Sequence, residues 1–129
     1  ILQFAFENPN ENNFLPHNHV RNCVCYTGTH DNDTTLGWYK NCFEQSRDKL
    51  RRYFSTDASD ICWVMIRACF GSVATMAIVP MQDILELDSW ARFNTPGIGE
   101  GNWSWRYKQE ALTEHLSSRL YETAKMFGR

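Results

Sequence analysis

The chain opens on a short apolar run, Ile1-Leu2-Gln3-Phe4-Ala5-Phe6, broken by a single Gln, which predicts a buried strand over 1–6. Residues 7–20 are polar, rich in Asn and carry Pro9 and Pro16, the composition of a loop. Cys23–Thr27 is a second apolar run that stops at Gly28 and predicts a second buried strand. Residues 29–35 crowd His, Asp, Asn and Thr into one loop, and Asp33, Thr34 or Thr35 can cap a following helix. From Leu36 to about Ser55 the spacing is helical in two pieces. Phe43, Leu50, Tyr53 and Phe54 face inward and Arg47, Lys49, Arg51 and Arg52 outward. Asp60–Phe70 predicts a helix capped by Ser59 and stopped by Gly71, although its β-branched content leaves a strand as the competing reading. Ala74–Val79 predicts a third buried strand ending at Pro80. A helical turn follows over 82–87; Gln82 and Asp83 either reach toward the site or cap that turn, and for Asp83 the cap is the favoured reading. Residues 88–105 form a long loop with Gly97, Gly99 and Gly101. Lys108–Phe127 is an amphipathic helix with Leu112, Leu116, Leu120 and Ala124 in one stripe.

Apolar strands separated by helices imply parallel pairing with right-handed crossovers, hence an α/β fold with its chemistry at the C-terminal ends of the strands. A closed eight-stranded barrel needs about 250 residues. The chain has 129, enough for about three strands of one. It begins inside a strand-like segment without Met, which reads as a piece of a longer protein.

Composition narrows the partners. The net charge is −2, with 13 Lys+Arg against 15 Asp+Glu in no concentrated basic run, so nucleic acid is not an expected partner. No apolar stretch reaches the roughly 18 residues of a membrane span, and no signal peptide pattern is visible. Five cysteines without a CxxC pair suit free thiols in a reducing compartment better than a disulfide framework or a zinc site. Aromatics make up 14% of the chain. Trp38 and Trp63 read as core, whereas Trp103 and Trp105 lie in the glycine-rich loop and fit a binding face.

Two stretches carry candidate chemistry. In Tyr26-Thr27-Gly28-Thr29-His30-Asp31-Asn32-Asp33-Thr34-Thr35 a strand ends at a Gly and presents His30 and Asp31 side by side. A carboxylate there can stabilise a developing cation or grip two hydroxyls, and an imidazole can donate to a sugar hydroxyl. The competing reading makes Asp31 and Asp33 helix caps. A metal cluster from His17, His19, His30 and Asp31 or Asp33 matches no tight template. The second stretch runs from Phe93 to Arg106 and mixes Asn94 and Asn102 with Trp103 and Trp105. Amides that donate and accept, beside aromatic faces that stack on sugar rings, are what a neutral polyol needs. No GK[ST] follows the glycines, which excludes a P-loop, and no nucleophile elbow is present.

Thr27-Gly28-Thr29-His30-Asp31-Asn32-Asp33-Thr34-Thr35-Leu36-Gly37-Trp38 resembles the signature of the 4-α-glucanotransferases, the amylomaltase or disproportionating enzymes of the α-amylase clan. Leu2–Phe6 and Leu15-Pro16-His17 before it look like segments of the same family. So do Pro80-Met81-Gln82-Asp83, Ala91–Gly97 and Gly101–Arg106 after it. The resemblance spans nearly the whole chain. It implies the C-terminal third of a (β/α)8 TIM barrel, with 1–6, 23–27 and 74–79 as strands six to eight, in a single catalytic domain shared with the rest of the parent protein. It also implies retaining transfer of an α-1,4-glucan segment to another glucan or to glucose, in starch or maltodextrin metabolism. Asp31 matches the transition-state stabiliser; His30, Asn94, Asn102 and Trp103 match the sugar-binding positions. No cofactor or metal is implied, and the compartment is cytosol or plastid. No Asp or Glu here matches the nucleophile or the acid/base, which belong upstream, so the isolated chain is expected to be inactive. Glu86-Leu87-Asp88-Ser89-Trp90 departs from the Gly-containing stretch usual in the family. A hydrolase of the same clan and a non-catalytic carbohydrate-binding module are the alternatives; elongation of maltotriose distinguishes the first, binding without turnover the second.

Overall fold

The two short strands pair in parallel, as uniformly apolar strands separated by helices require. In the computed structural model, which describes residues 1–7 and 13–129, β1 (Val24–Tyr26) lies beside β2 (Met76–Ile78) with Val24, Cys25 and Tyr26 opposite Met76, Ala77 and Ile78. Part of the polar loop expected over 7–20 lies outside the described residues. One face of the pair, through Cys25, meets the helices. Val24, Met76 and Ile78 on the other are 40%, 55% and 43% exposed.

The expected strand over 1–6 forms only in part. The Leu2 and Gln3 N–H groups donate to the carbonyls of Tyr26 and Thr27, so two residues extend along the free edge of β1. The Leu2 and Gln3 carbonyls then accept from Ala5 and Phe6, and the chain turns into α1 (Phe4–Glu7). Leu2, Ala5 and Phe6 are buried whichever way the backbone runs, so apolarity alone did not separate strand from turn.

The expected helical pair is α2 (Thr35–Asn41) and α3 (Glu44–Phe54), divided by extended backbone at Cys42 and Phe43. Thr34 is the cap of α2, its hydroxyl accepting from the Gly37 N–H at 3.1 Å. Phe43, expected on the apolar face, precedes α3 and is 84% exposed; Leu50 carries that face into the core. The run at 61–70 is α4 (Ile61–Phe70), a helix, with Gly71 at its end as expected. Its N-cap is Asp60, not Ser59, and no side chain caps it. Asp60 is instead drawn to Arg119. Trp63, Met65, Ile66 and Cys69 of α4 are buried under the sheet and against Leu50 and Trp38, which places both core tryptophans where the sequence expects them.

α5 (Met81–Ile84) starts directly after Pro80 and is shorter than the turn expected over 82–87. The non-glycine stretch that follows puts Glu86 at a φ of 55°, in the left-handed region that glycine takes without cost. The C-terminal helix α6 (Glu114–Met126) begins later than expected, where the Thr113 hydroxyl accepts from the Leu116 N–H at 3.2 Å. Leu112 is left outside the helix, 40% exposed, while Leu116, Leu120 and Ala124 pack on the core. Arg119 of α6 lies 4.0 Å over the Trp63 ring and pairs with Asp60 and with Glu86, fastening the helix to α4. All five cysteines are free; Cys25, Cys62 and Cys69 are buried and Cys23 and Cys42 half-buried.

Candidate functional site

At the C-terminal end of β1 the backbone passes through Thr27 and Gly28 into the 29–34 loop, and the chain re-enters a helix at Thr35. This loop borders a cavity of about 600 Å³, whose other walls come from Ile78 and Pro80 at the end of β2 and from Arg92, Phe93 and Trp105. The parallel register that sets Tyr26 beside Ile78 therefore also sets the 29–34 loop beside the segment that follows β2.

The loop is held from several sides. The Asn32 carboxamide oxygen accepts from the Thr29 N–H at 2.9 Å and from its hydroxyl at 2.8 Å, closing the turn around His30 and Asp31. The buried Gln3 amide donates to the Asp33 carbonyl at 2.9 Å. One Asp33 carboxylate oxygen accepts from the Thr34 N–H at 2.8 Å and the other from the Ser89 hydroxyl at 2.6 Å. Gly37 makes room for that contact: a Cβ there would stand 2.2 Å from the Ser89 Oγ and 2.9 Å from both Asp33 oxygens.

His30 and Asp31 reach the cavity with side chains 55% and 51% exposed, open to a ligand. The His30 Nε2 lies 3.3 Å from Asp31 Oδ2. The Asn94 amide donates to Asp31 Oδ1 at 2.6 Å. The Arg92 guanidinium donates to the Asp31 carbonyl at 2.6 Å and, through Nε, to the Asn94 carbonyl at 2.9 Å. Each Asp31 oxygen thus has a polar neighbour that limits its rotation without covering it.

Trp103 stands over His30 with ring centroids 5.1 Å apart and meets the Phe93 ring edge-on at 4.8 Å. The Trp103 backbone N–H donates to the Phe93 carbonyl at 2.8 Å. The structure therefore brings His30, Asp31, Asn94 and Trp103 into one cluster. Asn102 sits differently. Its carboxamide oxygen accepts from the Thr95 N–H at 2.9 Å and its amide donates to the Ile98 carbonyl at 2.7 Å, so its polar atoms tie the 95–102 loop to itself. Gly97 and Gly101 supply the positive φ, 82° and 79°, that this loop requires.

Asp83, expected to cap the short helix, does not do so. Its carboxylate turns away, is 1% exposed, and accepts from the Thr27 hydroxyl at 2.6 Å and from the Thr35 N–H and hydroxyl, each at 2.7 Å. Burial pushes its carboxyl upward from the ordinary carboxylate range, and these three hydrogen bonds pull it back. Trp105 stands at the cavity, as its place in the glycine-rich loop suggests, while Arg92 and Phe93 there were not among the expected site residues, although both stand inside the motif that holds Asn94. The histidines of the Asn-rich loop lie elsewhere. His17 Nδ1 is 2.7 Å from the Tyr53 hydroxyl, and His19 Nε2 is 3.0 Å from the Phe14 carbonyl. Among the described residues no three His, Cys, Asp or Glu side chains group to hold a metal. No helix in them is long and apolar enough to cross a membrane.

A family model described as 4-alpha-glucanotransferase matches residues 1–113. The chain is similar to the chloroplastic/amyloplastic 4-alpha-glucanotransferase of Arabidopsis thaliana, at 45% identity over all of this chain and 23% of that protein. It is likewise similar to the 4-alpha-glucanotransferases of Synechocystis sp., at 44% identity over 26% of that protein, and of Thermus thermophilus, at 41% over 27%. Among solved structures it superposes on an amylomaltase from Streptococcus agalactiae in complex with acarbose. The TM-score is 0.93 and the identity 31%, over all of this chain and 26% of that one. The chain spans about a quarter of the length of the relatives it matches.

Proposed function

On the premise that this chain belongs to the 4-alpha-glucanotransferase family, we propose that it is the C-terminal part of a (β/α)8 catalytic domain that transfers an α-1,4-glucan segment to another glucan or to glucose with retention of configuration. The extended edge at Leu2–Gln3, β1 and β2 stand as strands six to eight of the barrel. The half-exposed apolar face of Val24, Met76 and Ile78 suits a barrel interior whose packing is completed by side chains from strands this chain does not contain.

Asp31 is the transition-state stabiliser. In a retaining glycosidic transfer, positive charge develops on the ring and hydrogen bonds to ring hydroxyls strengthen with it. A carboxylate serves both needs when its oxygens face the sugar and do not swing. The observation that carries the reading is Asp31 itself: half-exposed at a cavity of about 600 Å³, with Asn94 on one oxygen and His30 beside the other. His30 and Asn94 border the hydroxyls that Asp31 grips. Trp103, 52% exposed and tilted against His30, offers an aromatic face to a sugar ring, and Asn102 shapes the loop that presents it. The nucleophile and the acid/base lie outside this sequence. They must stand about 5–5.5 Å apart for retention, and no carboxylate pair of this chain takes that role. The substrates are α-1,4-glucans and malto-oligosaccharides, no cofactor enters the reaction, and the compartment is cytosol or plastid.

The test is Asp31→Asn in the full-length protein carrying this sequence, incubated with maltotriose and resolved by product chain length. Asp31→Asn lowers transfer by several orders of magnitude with the melting temperature unchanged. Normal transfer by that variant overturns the assignment. The 129-residue chain alone yields neither glucose nor longer oligosaccharides; longer products from it would put the missing carboxylates within these residues.

A further inference from the structure

Asp83 is a fully buried carboxylate that the site chemistry leaves unused. At 1% exposure it cannot touch a sugar, and it does not cap α5, the helix it stands in. Burying a carboxylate costs free energy that a well-packed apolar side chain of similar size would not. Core packing alone therefore gives no reason for an Asp at this position.

Its partners supply one. Thr27 is the last residue before Gly28, and Thr35 is the first residue of α2. Between them lies the 28–34 loop with His30 and Asp31. A single carboxylate accepts from both ends: Oδ2 from the Thr27 and Thr35 hydroxyls at 2.6 and 2.7 Å, Oδ1 from the Thr35 N–H at 2.7 Å. The loop is thereby closed at its base. The braces from outside the loop each meet it at one point: Ser89 on the Asp33 carboxylate, Gln3 on the Asp33 carbonyl, Arg92 on the Asp31 carbonyl and Asn94 on the Asp31 carboxylate. Asp83 is itself located by the sheet, because it follows β2 by one turn and β2 is in register with the strand that ends at Tyr26.

We infer that Asp83 is a positioning residue for the transfer reaction, fixing the separation of Thr27 and Thr35 and through it the height and direction of Asp31 at the cavity. The inference rests on the role proposed for Asp31. Misplacement of a group by about 1 Å costs on the order of 100-fold in rate when that group acts in the transition state. Substrate binding, spread over Trp103 and the cavity walls, changes far less.

Asp83→Asn tests this directly, but removal of a buried acceptor can also cost folding. Thr27→Val and Thr35→Val remove one donor each and keep the side-chain volume; Thr27→Ser and Thr35→Ser keep the donor. All are made in the full-length protein, assayed on maltotriose per folded molecule and compared with Asp31→Asn. Each Val variant lowers kcat about 10- to 100-fold with KM changed less than about twofold, and each Ser variant restores kcat. Val variants with normal kcat, or with a loss that Ser does not restore, overturn the inference while an inactive Asp31→Asn leaves the role of Asp31 standing. An Asp31→Asn variant with normal transfer removes the premise and the inference together.

Discussion

Gly37 sits in the third position of α2, where a glycine is ordinarily a weakness: alanine in a helix interior is favoured by about 0.5–1 kcal/mol. The structure reverses that sign. The Cβ of an alanine at this position would stand 2.2 Å from the Ser89 Oγ and 2.9 Å from both oxygens of Asp33. Neither neighbour can move freely, because the Ser89 hydroxyl donates to Asp33 Oδ2 at 2.6 Å and the other Asp33 oxygen accepts from the Thr34 N–H at 2.8 Å. If the serine rotates away, a hydrogen bond to an ionised acceptor is lost, about 1.5–3 kcal/mol. The Asp33 contacts left behind add overpacking of about 1–3 kcal/mol. Against the helix gain, Gly37→Ala destabilises the protein by about 2–5 kcal/mol, which lowers its urea midpoint by about 1 M or more. The double variant separates the terms. In a Ser89→Ala background the oxygen is gone, so Gly37→Ala costs less there than in the parent, with a coupling of at least about 1 kcal/mol. A Gly37→Ala protein as stable as the parent, or equal costs in the two backgrounds, would refute the claim that this glycine exists for the Asp33–Ser89 contact.

Other expectations follow from burial and charge. Burial pushes the Cys62 thiol up to about 12, so with native protein at neutral pH iodoacetamide labels the half-buried Cys23 ahead of the buried Cys62, as peptide mapping will read out; early labelling of Cys62 contradicts the core described here. Thr113→Ala removes the side-chain cap of α6 and costs about 1 kcal/mol in denaturant unfolding, with Thr113→Ser close to the parent. The Lys40 ammonium and the Ser89 N–H hold the Asp88 carboxyl below its usual range. A lowered carboxyl stabilises the fold above its unfolded pKa and stops doing so as pH falls through the folded value. The gap in melting temperature between parent and Lys40→Ala therefore narrows below about pH 4, and a gap constant down to about pH 2 would rule that pairing out as its source.

Much of this architecture was legible because it rests on local pattern. β1, β2 and α4 are apolar runs closed by Gly or Pro, α3 carries an apolar stripe, and each lies within a few residues of where the pattern puts it. Where the pattern misled, the deciding interaction was distant in sequence or independent of polarity. Leu2, Ala5 and Phe6 are buried in a turn as completely as they would be in a strand. Phe43 has helical spacing to Leu50 but stands outside α3, because the backbone at Cys42 and Phe43 is extended. The cap expected from Ser59 is not made, and Asp60, which stands at the cap position of α4, turns to Arg119, 59 residues away.

The site divides the same way. His30 and Asp31 were visible because they are adjacent at a strand end, and Trp103 because an aromatic in a glycine-rich loop has no core to fill. Asp83 was misread because an Asp beside a helix start is a cap by every local rule, whereas its donors lie 56 and 48 residues earlier in the chain. Only the parallel register of β1 and β2 brings them together. Arg92 escaped for a related reason: an arginine in a polar loop reads as solvated, and its value lies in carbonyls of Asp31 and Asn94 that carry no sequence signature. The residues proposed to meet a sugar announce themselves by type, while those that hold them in place are ordinary residues made specific by topology. The proposed sugar site, built on a strand end, is thus half written in its loop and half in the segment after the neighbouring strand. Substitutions along 82–94 should therefore disturb the 28–34 loop more than their distance in sequence suggests.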